Sequence, residues 1–154
     1  MIKFDTIDKK ILNILQENGR ITNANLAAEV GLSPPPMLER VKKLEKSGVI
    51  SKYVALLDPQ KIDKATIVFV SLTLARHRLT SFDQVNQELK NIPEVLECYH
   101  ISGDEDYLLK VAVKDIQEYE QFLLKRLAQI PSISRIKSTV VLSTKKYETK
   151  INID

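Results

Sequence analysis

Apolar positions in the first third of the chain recur three and four residues apart, the spacing of helices with one buried face. Ile7, Ile11, Leu12 and Leu15 form the first stripe, with Asp5 or Thr6 placed to cap it and Gly19 to stop it. Leu26, Ala27 and Val30 form a second, capped by Thr22 or Asn23 and closed by Gly31, which suits a left-handed C-cap. Leu32 follows the turn, and Ser33 stands as N-cap of a third helix. Met37 or Leu38 joins Val41 and Leu44 on its buried face, and Ser47-Gly48 ends it. Pro34, Pro35 and Pro36 sit where first-turn N–H groups lack intrahelical partners, but each disfavours helical angles in the residue before it. The regular helix is therefore expected to begin near Pro36.

Beyond Gly48 the period changes. Residues 49–57 read as a strand stopped by Asp58-Pro59, so 50–64 form a linker strand between an N-terminal domain, 1–49, and a C-terminal one, 65–154. Residues 66–74 alternate, with Val68, Val70, Leu72 and Leu74 on one face and Ile67 and Phe69 making the other apolar at its start. Phe82, Val85, Leu89 and Ile92 predict a helix, and residues 95–101 and 107–113 predict two strands joined across 102–106. Tyr119, Leu123, Leu127 and Ile130 predict a second helix ended by Pro131, and residues 133–143 a last strand. The order βαββαβ is the ferredoxin-like arrangement, with both helices on one face of an antiparallel sheet. The chain is thus α+β. The uncovered, partly apolar sheet face calls for a second subunit, so a homodimer formed sheet to sheet is expected.

Charge sharpens the picture of the first part. Residues 1–64 hold 11 Lys/Arg against 8 Asp/Glu, whereas the remainder balances at 12 of each, so the whole formal excess of +3 lies early. Within residues 33–52, Arg40, Lys42, Lys43, Lys46 and Lys52 outnumber Glu39 and Glu45. A local basic excess is what phosphate contacts need, and it is also the ordinary mark of a solvated helix.

A supporting helix followed by helix, glycine turn and helix is the arrangement that presents the last helix to the DNA major groove. With Val41 and Leu44 inward, Pro35, Pro36, Glu39, Arg40 and Lys43 fall on or beside the opposite face, with Lys42 and Lys46 flanking. Arg40 and Lys43 are the expected readers of base edges or phosphates, and Glu39 either accepts from cytosine or orients Arg40. Three missing N–H groups weaken the start of this helix as a phosphate cradle. Side chains, Ser33 among them, and the second helix's start near Asn23 are expected to make the backbone contacts. A three-helix bundle with solvated cations, and prolines that only stiffen the turn, accounts for the same pattern.

The stretch LAAEVGLSPPPMLERVKKLEKSGVISKYVALLDPQKI, residues 26–62, resembles the helix-turn-helix and linker of the Lrp/AsnC family, the feast/famine regulators. The preceding DTIDKKILNILQENGRIT is similar to that family's first helix. The resemblance covers the whole chain, with its sharpest motifs in the first half. It implies a winged helix-turn-helix three-helix domain that binds double-stranded DNA, and a ferredoxin-like effector-binding and oligomerisation domain. It further implies dimers that assemble to octamers and a small amino-acid effector, of leucine or methionine type. The run of three prolines followed by Met37 departs from the family's usual mixture of small residues and one proline, which bears on the target sequence.

Residues 99–111, YHISGDEDYLLKV, hold the one cluster in the second half that fits small-molecule recognition. Gly103 allows a positive-φ turn whose exposed N–H groups can hold a carboxylate, and Asp104, Glu105 and Asp106 can neutralise an ammonium. An acidic, solvated hairpin turn fits the residues equally. The resemblance implies that this glycine-aspartate loop lines a pocket between neighbouring dimers, which assigns Ile101, Ser102, Gly103, Asp104, Asp106 and Tyr107 to the effector.

Other chemistry finds little material. His77 and His100 lack H-E-x-x-H spacing, and the single Cys98 forms neither an internal disulfide nor a zinc site. No G-x-G-x-x-G or P-loop occurs. No enzyme activity, metal or cofactor is expected. Apolar runs fall short of the roughly 18 residues of a membrane span, and the N-terminus lacks a signal peptide's apolar core, so a cytoplasmic address is expected. Two rivals share these features. One is a DNA-architectural protein whose C-terminal domain only oligomerises; the other is a metabolite-sensing regulatory subunit without DNA binding, against which Arg40, Lys43 and the GLS turn stand.

Overall fold

Three helices, α1 (Thr6–Glu17), α2 (Asn23–Val30) and α3 (Pro34–Lys46), form where the apolar stripes place them in a computed structural model that describes residues 3–75 and 81–153. Asp5 caps α1 through a reciprocal box: its Oδ1 accepts the Asp8 N–H at 2.7 Å while Asp8 Oδ2 accepts the Asp5 N–H at 3.3 Å. Thr22 caps α2, its Oγ1 accepting the Asn25 N–H at 3.2 Å, and Gly31 closes it in the left-handed region at φ 77°. Ile11, Leu12, Leu26, Ala27, Met37, Val41 and Leu44 make the buried core of this unit, and Leu38 stays exposed.

The start of α3 departs from expectation. The helix begins at Pro34, not near Pro36, and Ser33 takes N-cap backbone angles without any side-chain cap bond. A serine cap bonds the N–H of the second or third helical residue. Here those residues are Pro35 and Pro36, which have none, so the first amide in line is Met37, donating to the Ser33 carbonyl at 3.4 Å.

The linker strand expected at 49–57 is absent. Among the described residues this stretch pairs with no strand, and a ladder requires a partner. Instead the Tyr53 hydroxyl donates to Glu45 Oε1 at 3.0 Å, with its ring beside Gly19, while Val54, Leu56 and Leu57 lie open. A 3-10 turn, Pro59–Ile62, follows, with the Asp58 carboxylate accepting the Gln60 N–H at 3.0 Å.

The chain divides into two compact units, Met1–Leu56 with Lys146–Asp154, and Leu57–Lys145. The boundary thus differs from the expected 65–154 at its far end, because the last residues pack with the helical unit, where Ile153 joins the core.

In the second unit β1 (Thr66–Leu74), β2 (Val95–His100), β3 (Tyr107–Val113) and β4 (Ile133–Val140) form one sheet of order β2-β3-β1-β4, every pair antiparallel. Helices α4 (Ser81–Lys90) and α5 (Ile116–Lys125) complete the predicted βαββαβ order. Val68, Val70, Leu72, Leu109 and Val111 are fully buried against Val85, Leu89, Tyr119, Phe122 and Leu127. α5 is shorter than its apolar spacing implied: Arg126 leaves helical angles, and a 3-10 turn, Leu127–Gln129, delivers Leu127 and Ile130 to the core. The opposite sheet face carries Ile67, Phe69, Leu108 and Tyr99, with Lys110 and Glu97 paired at 2.8 Å among them.

Candidate nucleic-acid interface and effector loop

The face of α3 turned away from Met37, Val41 and Leu44 is the candidate DNA surface. Pro35, Pro36, Glu39, Lys42, Lys43 and Lys46 are all exposed there. Lys42 leans on Glu39 at 3.6 Å, a solvated i,i+3 pair, whereas Lys43 and Lys46 make no ion pair among the described residues. Ser33 stands at the head of the helix and Asn23 at the head of α2, both exposed. With no amide to cap, the Ser33 hydroxyl keeps its hydrogen-bonding capacity for a ligand oxygen.

Arg40, expected to read a base edge or phosphate, already has partners within the helical unit. Its Nη1 donates to Asp5 Oδ2 at 2.6 Å and to Asp8 Oδ1 at 2.7 Å, so the guanidinium is turned onto the start of α1. The Asp8 backbone amide and then the Arg40 guanidinium hold the Asp5 carboxyl below its ordinary pKa, and both carboxylates raise that of Arg40. Charge-assisted bonds of this length are the strong kind. The Arg40 guanidinium therefore ties α3 to the start of α1. Sequence periodicity missed Asp5 and Asp8 as its partners because it orders residues within one helix and gives no information on which helix lies across.

The loop between β2 and β3 is pinned at both ends. The Ile101 N–H donates to the Asp106 carbonyl at 2.9 Å, the Asp106 N–H to the Leu72 carbonyl at 2.8 Å, and the Leu74 N–H to Asp106 Oδ2 at 2.7 Å. Between them Gly103 adopts φ 135°, a conformation L side chains rarely take. Ser102, Gly103 and Asp104 are exposed, and their amides donate to no other group among the described residues.

Two residues assigned to the effector hold partners within this unit. One oxygen of Asp106, Oδ2, accepts the Leu74 amide, and Asp104 is the fully exposed acid of the turn. Tyr107 is buried, its hydroxyl donating to Asn86 Oδ1 at 2.9 Å under α4 and its ring packed with His100 and Phe82. Strand alternation puts residue 107 on the core face. Glu105 is half-buried and meets Lys137 of β4 at 3.4 Å, a partner no local pattern could reveal. A groove of about 330 Å³ lined by Glu88, Asn91, Ile92, Lys125, Arg126 and Ile130 lies at the other end of β2, away from this loop.

No cluster of metal-ligating side chains occurs among the described residues, and His77 lies outside them. Partial burial raises the Cys98 thiol pKa, the reverse of what activates a nucleophile. No helix among the described residues is long and apolar enough to cross a membrane.

Known proteins align with this arrangement over both units. Residues 4–51 match the winged helix-turn-helix DNA-binding family and residues 67–151 the Lrp/AsnC ligand binding domain. The leucine-responsive regulatory protein of Haemophilus influenzae is 46% identical over 142 residues, 92% of this chain and 86% of its own length. Its namesake in Escherichia coli K12 is 42% identical over 149 residues, 97% of this chain and 91% of that one. Among solved structures, a Neisseria meningitidis transcriptional regulator in complex with L-Met superposes with TM-score 0.93 at 34% identity, covering 97% of this chain and 96% of that one. An AsnC family regulator from Agrobacterium tumefaciens gives TM-score 0.91 at 40% identity, covering 96% of each chain. These relatives are transcriptional regulators, and the chain is not an enzyme. Two family matches that together span nearly all of the sequence, and relatives that align with it almost end to end, make this chain a member of the Lrp/AsnC family of DNA-binding transcriptional regulators.

Proposed function

We propose that this regulator reads DNA with α3 and answers to an apolar amino acid, of the leucine or methionine class, held at the turn of residues 102–104. Lys43 and Lys46 supply phosphate contacts, Glu39 and Lys42 approach base edges, Ser33 donates to a backbone oxygen, and the Pro35 and Pro36 rings offer apolar contact to thymine methyl groups. The amides at the start of α2, near Asn23, take a further phosphate. The leucine-responsive relatives and the L-Met complex support the ligand class.

One observation carries the effector half. The turn is pinned by Ile101 and Asp106, yet the amides of Ser102, Gly103 and Asp104 stay unclaimed among the described residues beside the Asp104 carboxylate. Unclaimed amides suit a ligand carboxylate and an exposed acid suits its ammonium. The ligand's side chain needs further walls, which a second copy of the chain supplies. We place that copy on the open sheet face of Ile67, Phe69, Leu108 and Tyr99, giving a homodimer that assembles to octamers and works in the cytoplasm beside the chromosome. Effector binding that favours one assembly shifts the protein between states that grip DNA differently.

The test is binding of the full chain to fragments upstream of its own gene, at two salt concentrations, with and without a panel of amino acids. Specific, salt-weakened binding altered by an apolar amino acid is the expected result. Specific binding without any response favours a DNA-architectural role, and absence of specific binding favours a sensing subunit.

A further inference from the structure

The chain leaves its helical unit at Leu56 and comes back to it at Lys146, so the sheet-bearing unit, Leu57–Lys145, is inserted between two covalent crossings, and the returning residues 146–151 still belong to the stretch that matches the ligand binding domain. The returning segment is seated by three kinds of interaction. Gln16 of α1 grips the backbone of Ile151 at both ends of its carboxamide: Nε2 donates to the Ile151 carbonyl at 3.0 Å, and Oε1 accepts the Ile151 N–H at 2.8 Å. Lys150 pairs with Glu17 next to it, and Ile153 packs against the core that holds Ile11, Met37 and Val41. A two-point side-chain grip on the backbone of one residue, a charge pair and an apolar anchor together seat the segment, the features by which backbone and pockets divide affinity and register.

At its other end the same segment continues from β4, the edge strand beside β1. Lys137 of β4 is the residue that meets Glu105 in the loop assigned to the effector, and the Val141 amide prolongs the ladder onto the Ile67 carbonyl at 2.9 Å. From β4 the covalent chain itself then runs on, through residues 142–145, into the tail docked on α1. α1 is also the helix that Arg40 ties to α3.

We infer that residues 146–153 act as a strap that carries the effector response from the ligand-binding domain to the DNA-reading helices, in addition to the linker at 50–57. The inference rests on the amino-acid reading above and deepens it. A strap of this kind couples two sites only if its docked and released forms differ in their bias toward the two liganded states.

Full-length Gln16→Ala removes both bonds of the backbone grip and Ile151→Pro removes the one donated by the Ile151 N–H, neither touching α3 or the 101–106 loop. Hydrogen exchange across residues 146–153 and the last turn of α1 is measured first, and faster exchange in both variants is expected. L-leucine and L-methionine are then titrated by calorimetry, and DNA Kd is measured with and without each. The expected result is amino-acid binding within about twofold of wild type, and a ratio of DNA Kd values that collapses to within about twofold of 1. Exchange unchanged in both variants overturns the docking. A wild type that responds and variants that respond equally overturn the strap while the effector reading survives. A wild type that binds neither amino acid overturns that reading and the coupling with it.

Discussion

Arg40 and Asp8 join the recognition helix to the supporting helix: Nη1 of the arginine lies 2.7 Å from Oδ1 of the aspartate and 2.6 Å from Asp5 Oδ2 as well. One nitrogen thus serves the cap of α1 while its own helix presents the basic face. Arg40→Ala is expected to lower the stability of the helical unit by about 1 kcal/mol, since the pair is only partly buried. Melting of the full chain should show a drop of a few degrees. Specific DNA affinity should fall, but the slope of log K against log salt should stay as in wild type, because no phosphate contact is lost. A slope reduced by about one unit would return Arg40 to the DNA surface.

Lys43→Ala and Lys46→Ala are expected to do the opposite. Each should leave the melting temperature unchanged, weaken binding to specific and unrelated DNA alike, and reduce the salt slope by about one. Filter-binding or anisotropy at several salt concentrations checks this, and an unaltered slope in both would remove the end of α3 from the interface.

Gly103→Val separates backbone from contact. A Cβ there meets nothing within 4 Å, so any cost comes from φ 135° alone, about 1 to 3 kcal/mol for a strained residue. Amino-acid binding by calorimetry should weaken more than tenfold while DNA binding without effector persists. Asp106→Ala, by contrast, leaves the Leu74 amide without its acceptor and should destabilise the ligand-binding unit itself, visible as a lowered melting temperature.

Acid should unfold the protein in a predictable window. The carboxyls of Asp5, Glu97 and Glu118 sit below their ordinary values of 3.8 for Asp and 4.5 for Glu. The causes are led by the Asp8 amide at Asp5, by Lys110 at Glu97 and by the Lys114 amide at Glu118. A folded pKa below the unfolded one adds stability that is complete above the unfolded value and is lost as pH falls through the folded one. Melting should therefore hold steady from neutrality to about pH 5 and decline below it. At the alkaline end, burial and then Glu45 push Tyr53 up to about 12, so its bond to Glu45 contributes fully below 10 and is lost as pH rises toward 12.

Phe69→Lys places a charge in the middle of the open sheet face, opposite Lys110. Light scattering should show smaller assemblies than wild type with the fold retained by circular dichroism, because like charges across strands repel and a desolvated lysine opposes burial. An unchanged mass would move the subunit contact elsewhere.

Much of the fold is written in local period and local chemistry along the chain. Helices at 3.6-residue spacing, the Gly31 cap, N-caps narrowed to Asp5 or Thr6 and to Thr22 or Asn23, and the βαββαβ order follow from hydrophobic alternation and from groups a few residues apart. The basic face of α3 and the glycine turn at residue 103 were legible for the same reason. Partnerships between distant groups were set by packing instead. A helical pattern places Arg40 outside its own helix's apolar stripe but is blind to the aspartates that α1 lays against it. Strand chemistry at 49–57 came to nothing because a ladder needs a second strand, and Ser33 lost its capping bond to prolines that supply no amide. Tyr107 found Asn86 under α4, and Asp106 found the Leu74 amide. The last residues, which carry no strong period, were claimed by Gln16 and the helical core. Local free energies are written along the chain, whereas the choice among distant partners is made by packing, which brings residues together regardless of their separation in sequence.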